Sequence, residues 1–370
     1  MKFNLLFYCT VLLFSIGCSS SDEITETPST YPKNIMFIGG ANKYYAIDSK
    51  NGQLKWSFPV TNGTFQYSTA FYNNNVLYVG CTDKYLYALD ATNGNLLWKF
   101  KTNEAIESSV FVSNNTVFFG SDDDNFYALN AETGELKWRF TTGHNVSSSP
   151  VVSGEIVYFG SDDGYIYALN QGSGVLQWKY FAGSIFNSSS ASVVQNNLYI
   201  GSRNGNIYNI NKITGELNWK KQLGGSIEYS SPTILDGYLY TTDNNFLYKI
   251  DALTGNIVWQ SYNSGGYSSG PYVNENYISV NSSSGNIMIV DKQTGNTKWQ
   301  ATIYSNSAEA VATDATVFIG GGGSNFVYAL SENSGAEKWR FPINSTTTSA
   351  PVIINKDGKL VYPSKSGGRD

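Results

Sequence analysis

Residue types that do chemistry are sparse in this chain. One histidine, His144, occurs among 370 residues. A catalytic imidazole needs a nucleophile within reach and a partner that orients it. No such residue stands beside His144 in the sequence, so it reads as a polar loop residue. The runs Ser121-Asp122-Asp123-Asp124 and Ser161-Asp162-Asp163-Gly164 suggest calcium, which takes about six to eight converging oxygens. The related positions Ser202-Arg203-Asn204-Gly205 and Asn281-Ser282-Ser283-Ser284 keep turn-forming residues but lose the carboxylates. That pattern fits turns in which Asp, Asn and Ser bond the local backbone. There is no His/Cys cluster for zinc, and no metal is expected. What remains is a set of aromatic and acidic loop residues: Tyr67, Glu107, Phe186, Glu228, Tyr229, Tyr267 and Glu309, among serines such as Ser108, Ser147, Ser188 and Ser268. Their chemistry is recognition of a protein partner or a glycan rather than catalysis. The competing reading makes them solvated loops with aromatics plugging a channel.

The elements that position these loops are set by a ruler of tryptophans. Trp56, Trp98, Trp138, Trp178, Trp219, Trp259, Trp299 and Trp339 are separated by 42, 40, 40, 41, 40, 40 and 40 residues. Four residues before them stand Gly52, Gly94, Gly134, Gly174, Gly215, Gly255, Gly295 and Gly335. One supersecondary unit is therefore copied eight times. The fourth copy shows its parts: Val151-Val152, Ile156-Val157-Tyr158-Phe159, Tyr165-Ile166-Tyr167-Ala168-Leu169 and Val175-Leu176-Gln177-Trp178, broken by Gly, Asp and Ser. Short aromatic and β-branched runs between such breaks are strands of a meander. No sustained helical period follows the N-terminus. Residues 156–159 are apolar on both faces, as a blade packed between two blades requires. The expected fold is all-β, an eight-bladed propeller of four-stranded antiparallel blades. The 27 tyrosines and 20 phenylalanines, each able to bury ~150–250 Å², would fill the seams between blades.

The pattern Ala-x-Asp-x-x-x-Gly-x-x-x-Trp resembles the tryptophan-docking motif of pyrroloquinoline-quinone (PQQ) type propellers. It is carried by Ala46 to Trp56 and Ala88 to Trp98, and, with Asn130, Asn170 and Ser331 in the Asp place, by Ala128 to Trp138, Ala168 to Trp178 and Ala329 to Trp339. The tryptophans are never followed by Asp, unlike those of WD40 repeats. The resemblance implies that each tryptophan docks on the neighbouring blade near the alanine. Asn209, Lys249 and Ile289 replace that alanine in the fifth to seventh copies, where differently packed seams are expected. The quinoprotein dehydrogenases with this motif are longer, often carry an adjacent-cysteine disulfide and use an aspartate with calcium. This chain has no Cys-Cys pair and no large insertion, so neither a quinone nor any other cofactor is expected. The first copy lacks its innermost strand, which residues 349–354 can supply; residues 359–362 then resemble one strand too many.

Residues 5–14 are apolar but too short for a bilayer-spanning helix of ~20 residues. They suit a signal peptide over residues 1–17. Ser15-Ile16-Gly17-Cys18 resembles a bacterial lipobox, with Ser15 where leucine is usual, and implies lipidation of Cys18. Residues 18–33 read as a flexible Ser/Thr and acidic tether, and residues 34–370 as the propeller, closed by its N- and C-terminal strands. Loss of residues 1–17 moves the net charge from −5 to −6, because Lys2 is the charged residue lost. With no basic run, no nucleic-acid partner is expected. Cys81 has no disulfide partner and fills the place held elsewhere by Ser121, Ser161 and Ser202, so it is a buried small residue. In length, lipobox and eight docking repeats the chain is similar to the outer-membrane protein assembly factor B (BamB) family. This implies a non-enzymatic, monomeric propeller, lipid-anchored at the bacterial outer membrane and bound to the barrel-assembly machinery. The leaflet, periplasmic or cell-surface, stays open, as does the alternative of a surface lipoprotein that binds a polysaccharide or another small ligand. A quinoprotein-like dehydrogenase is the third reading.

Overall fold

The computed structural model describes residues 32–186, 189–227, 230–304, 309–343 and 346–363. Eight antiparallel blades form a propeller ring, numbered here by the order of their tryptophans. Each runs outward from a short inner strand to a six-residue outer strand bearing the tryptophan, as in blade 4, where Val151–Ser153, Ile156–Gly160, Tyr165–Asn170 and Leu176–Phe181 pair in sequence. The second and third strands are almost wholly buried while outer strands are largely exposed. That gradient follows from stacking blades side by side.

The ring closes as expected, with an addition. Val352–Ile354 pairs antiparallel with Ile35–Gly39 and becomes the innermost strand of blade 1. Leu360–Val361 is not a rival for that place. It pairs with Val352–Ile354 from the channel side and makes blade 1 five-stranded. Tyr362 just beyond it donates its hydroxyl proton to Tyr72 O at 2.8 Å, and its oxygen accepts from Tyr72 N at 3.0 Å. The C-terminal strand is thereby tied to blade 2. A cavity of about 390 Å³ remains between Leu360, Tyr362 and the inner strands of blades 2 to 4.

The tryptophan ruler has a double cause. All eight glycines have φ between +70° and +77°, a conformation glycine adopts without strain. Each also lies under the preceding blade's indole: a Cβ on Gly94 would sit 2.5 Å from the Trp56 ring. The indole N–H then reaches across the seam. Trp56 donates to Ala91 O, Trp98 to Ala131 O, Trp138 to Gln171 O and Trp178 to Lys212 O, all at 3.0 Å. Trp219, Trp299 and Trp339 do the same to Ala252, Glu332 and Ser49. The motif's alanine stands opposite the tryptophan in its own blade, as Ala88 does to Trp98. Its small side chain lets the ring lie flat rather than receiving it from next door.

Candidate functional site: the channel mouth and its hydroxyl ring

The loops entering the inner strands carry hydroxyls at two consecutive positions, and each position has its own task. The first works within a blade. Ser68, Ser108, Ser148 and Ser230 accept from the backbone N–H of Gly80, Gly120, Gly160 and Thr242 at 2.9–3.3 Å. The second works between blades. Ala350 N donates to Thr69 Oγ1, Thr69 N to Ser109 Oγ, Ser109 N to Ser149 Oγ, Ser149 N to Ser190 Oγ, and Ser190 N to Ser231 Oγ, at 3.0–3.4 Å. This ring satisfies buried backbone donors that no strand can reach, and its members are themselves buried.

Blade 7 has Gly270 where the next hydroxyl belongs. A Cβ there would lie 2.4 Å from Glu309 Oε1 and 3.2 Å from Ser231 N. The Glu309 carboxylate of blade 8 thus occupies the space the missing side chain leaves. Glu309 is fully buried and belongs to the ring rather than to an exposed mouth.

The other sequence candidates separate in the same way. Phe186 is fully buried: its Cβ lies 2.4 Å from where a Cβ on Gly160 would be, and its ring meets Tyr208 edge-on at 6.4 Å. Tyr267 is buried too. Both recur at the repeat spacing with Phe65, Ile106, Val146 and Ile227, which are buried and, on Gly39, Gly80, Gly120 and Gly201, pack as Phe186 does on Gly160. Phe186 and Tyr267 are therefore seam residues, and neither the exposed-contact nor the channel-plug reading describes them. Their recurrence was the signal that identifies them as core. Tyr67 is 43% exposed at the mouth. Glu228 and Tyr229 lie outside the described residues, as do Ser188, Cys18 and the first part of the tether.

Glu107 is half-buried at the rim between blades 3 and 4. Burial raises its pKa above the usual carboxylate value, and Asp122 and Asp162 add like-charge repulsion. The Asp122 pKa is raised as well, chiefly by burial, while a 3.3 Å hydrogen bond from Ser147 opposes the rise. The neighbouring aspartates serve turns. Asp123 Oδ1 accepts from Asn125 N and Asp163 Oδ1 from Tyr165 N, while their Oδ2 atoms accept from the Tyr127 and Tyr167 hydroxyls at 2.7 and 2.6 Å. Among the described residues no group of three or more His, Cys, Asp or Glu side chains is arranged to hold a metal. His144 is exposed, and its Nδ1 accepts from Asn145 N within its own loop. Cys81 is buried and free, and burial pushes its thiol pKa up.

Eight seams docked by tryptophan around a ring of buried hydroxyls define a PQQ-like repeat propeller. The sequence matches the family profile of the outer membrane protein assembly factor BamB over residues 18–105, 82–185 and 162–313, and the chain belongs to that family. No curated protein matches it. Among solved structures it is similar to BamB from Moraxella catarrhalis, with TM-score 0.69 and 18% identity over 80% of this chain and 96% of that one. It is also similar to the computationally designed Ika8 protein, with TM-score 0.68 and 15% identity over 82% and 98%. A quinohemoprotein alcohol dehydrogenase from Pseudomonas putida HK5 gives TM-score 0.65 and 17% identity over 87% and 71%. At these identities the structural likenesses establish the shared fold.

The quinoprotein neighbour calls for a test of fit. Pyrroloquinoline quinone is a polyanion that needs cationic partners. The polar side chains at this mouth include the carboxylates of Glu107, Asp122 and Asp162, which already repel one another. The ring below is occupied by hydroxyls, by Glu309 and, on the channel side of blade 1, by Leu360–Val361. These residues do not fit the group.

Proposed function

We propose that this protein is a non-enzymatic scaffold of the outer membrane, anchored through lipid on Cys18 and presenting its propeller to a protein partner in a BamB-like role in outer-membrane protein assembly. The observation that carries this reading is the family match running through most of the blades. The geometry supports it, because the described residues of the mouth include an exposed aromatic, Tyr67, and a half-buried acidic group around Glu107. Such a rim recognises a surface of complementary charge. Glu228 and Tyr229 extend the candidate contact set. The test is a mild-detergent pull-down of the lipidated protein from its own membranes, with partners identified by mass spectrometry. Recovery of the barrel-assembly subunit, weakened by Tyr67→Ala with Glu107→Gln, is expected. Recovery of glycan-transport proteins in its place overturns the reading in favour of a surface glycan binder.

A further inference from the structure

The seam between blades 6 and 7 carries a charged residue at the alanine slot. In blade 6 the alanine slot holds Lys249, in register with Tyr240 on one side and Trp259 on the other. In blades 2, 4 and 5 the residue paired with this slot on the second strand is a tyrosine whose hydroxyl crosses the seam. Tyr78 donates to Ala131 O, Tyr158 to Lys212 O and Tyr199 to Ala252 O, at 3.0–3.1 Å. These are the same carbonyls that accept from Trp98, Trp178 and Trp219. By the repeat, Tyr240 and Trp259 should both donate to Lys292 O. Neither does: the Tyr240 hydroxyl and Trp259 Nε1 are buried without a hydrogen-bond partner. The two rings stand 6.4 Å apart, against 5.7–6.0 Å for Tyr78–Trp98, Tyr158–Trp178 and Tyr199–Trp219.

Two cations crowd this place. Lys249 and Lys292 are each only 5% exposed. The Lys249 ammonium lies 4.1 Å from the centre of the Tyr238 ring, and Lys292 pairs with Asp236 at 2.9 Å. Burial lowers the Lys249 pKa, and the nearby Lys292 charge lowers it further, against the pull of Asp236. Two positive charges and one negative leave one positive charge in excess in the seam that holds the two unused donors, with the Lys249 ammonium 5.9 Å from the centre of the Tyr240 ring. Unpaired buried charge and buried orphan donors are both unfavourable, and an anion relieves both at once.

We propose that the blade 6–7 seam is a binding site for a single carboxylate group, held by Lys249 with Trp259 Nε1 and the Tyr240 hydroxyl. A carboxylate is favoured over a phosphate because its one charge matches the local excess, and its two oxygens can accept from an ammonium and from neighbouring neutral donors together. Nothing in the scaffold reading requires this site, and each can fail without the other.

The test follows the indole N–H resonances of the full chain, with Trp259 assigned by Trp259→Phe, while acetate, a capped aspartate peptide or inorganic phosphate is added. A saturable shift of the Trp259 resonance with acetate or the peptide is expected. Tighter binding of the peptide assigns the carboxylate to a docked protein segment, and equal or weaker binding assigns it to a small solute. Lys249→Ala restores the repeat's residue, while Lys249→Met keeps the bulk and removes the charge. Both should weaken acetate binding about tenfold or more, as loss of a charge-assisted hydrogen bond does. A shift with phosphate but not with acetate, no saturable shift at all, or full binding by Lys249→Met would each overturn the proposal.

Discussion

In blades 1 to 4 the outer strand sets Phe58, Phe100, Phe140 and Tyr180 edge-on against Tyr87, Tyr127, Tyr167 and Tyr208 of the following blade, with centroids 5.3–6.0 Å apart. In blades 5 to 7 the same slot holds Lys221, Ser261 and Ala301. Blades 2 to 4, with part of blade 5, share a buried cluster running from Phe71 to Ile210, while blade 1 packs in two smaller clusters around Phe37 and Met36. The second sector divides into smaller clusters around Tyr199, Tyr240 and Tyr277. The alanine slots change in the same three blades, to Asn209, Lys249 and Ile289, and the hydroxyl ring breaks at Gly270 in blade 7. One repeat thus supports two kinds of seam. Where aromatic contacts, each about 0.5–1.5 kcal/mol beyond area burial, are surplus, the repeat is regular. Where they are missing, polar side chains enter the seams of blades 5 and 6, as Asn209, Lys221, Lys249 and Ser261 do, and those are the groups able to bind something.

The sharpest way to break this comparison is to remove one tryptophan from each sector. Trp138 lies over Gly174, donates to Gln171 O and meets Phe118 and Phe126. Trp138→Ala should destabilise by about 3–5 kcal/mol, as large aromatic truncations do. Trp259 makes no such hydrogen bond, so Trp259→Ala should lose about 1 kcal/mol less, the net worth of that bond. Urea unfolding of both variants measures the gap. Equal losses would mean that the two sectors are held alike.

The break in the ring gives a second test. Gly270→Ser reinstates the consensus hydroxyl but drives it into the Glu309 carboxylate, and it should destabilise by about 1–3 kcal/mol through overpacking. Glu309→Ala in the same chain should recover most of that loss. A double-mutant cycle reads the coupling, and independent effects would show that Glu309 does not stand in for the missing side chain.

How much of this was legible in the chain differs by distance. The eight blades and their turns were plain because each Trp–Gly pair states its own requirement within four residues, and the closing strand because residues 349–354 repeat the inner-strand pattern. Phe186 and Tyr267 were misplaced at the mouth because they sit in loops between blades, where aromatic residues look like variable contacts. Their alignment with Ile106, Val146 and Ile227 shows them to be core. The ring of hydroxyls joins residues about one repeat apart, so no local window displays it. The exchange of Gly270 for Glu309 is a compensation across a seam, visible once Gly270's missing Cβ is set beside the carboxylate. Leu360–Val361 looked superfluous because a fifth strand inside a channel has no counterpart in the other copies.

Lys249→Ala is the third test and the one expected to stabilise. It removes a buried ammonium and makes room for Trp259 and Tyr240 to reach Lys292 O, which should add about 1 kcal/mol. The pH dependence carries the sign. A lysine whose pKa is lowered by folding binds fewer protons in the native state, so wild-type stability should rise as pH climbs from the lowered value towards the ordinary ~10.4. The variant should lose that rise. If the two denaturation midpoints keep a constant separation from neutral pH to pH ~10, Lys249 is not the strained group of this seam.

The smallest effect belongs to the acidic rim of the regular sector. Folding raises the pKa of Glu107 and of Asp122, chiefly by burial. A carboxyl with a raised folded pKa is held most favourably below its unfolded value, and that advantage is lost as pH rises through the folded value. At neutral pH the charged pair therefore opposes folding, and Glu107→Gln should raise the melting temperature by a degree or so. Below the ordinary glutamate value of ~4.3 the two proteins should melt together, because the wild-type side chain is then neutral as well. Added salt should also shrink the difference at neutral pH, since rim charges in contact with solvent are screened over ~10 Å at 0.1 M. A destabilised Glu107→Gln at neutral pH would mean that the carboxylate already has a cationic or hydrogen-bonding partner. The acidic rim would then belong to the seam's own packing, leaving Tyr67, among the described candidates, as an exposed group through which a docking partner is met.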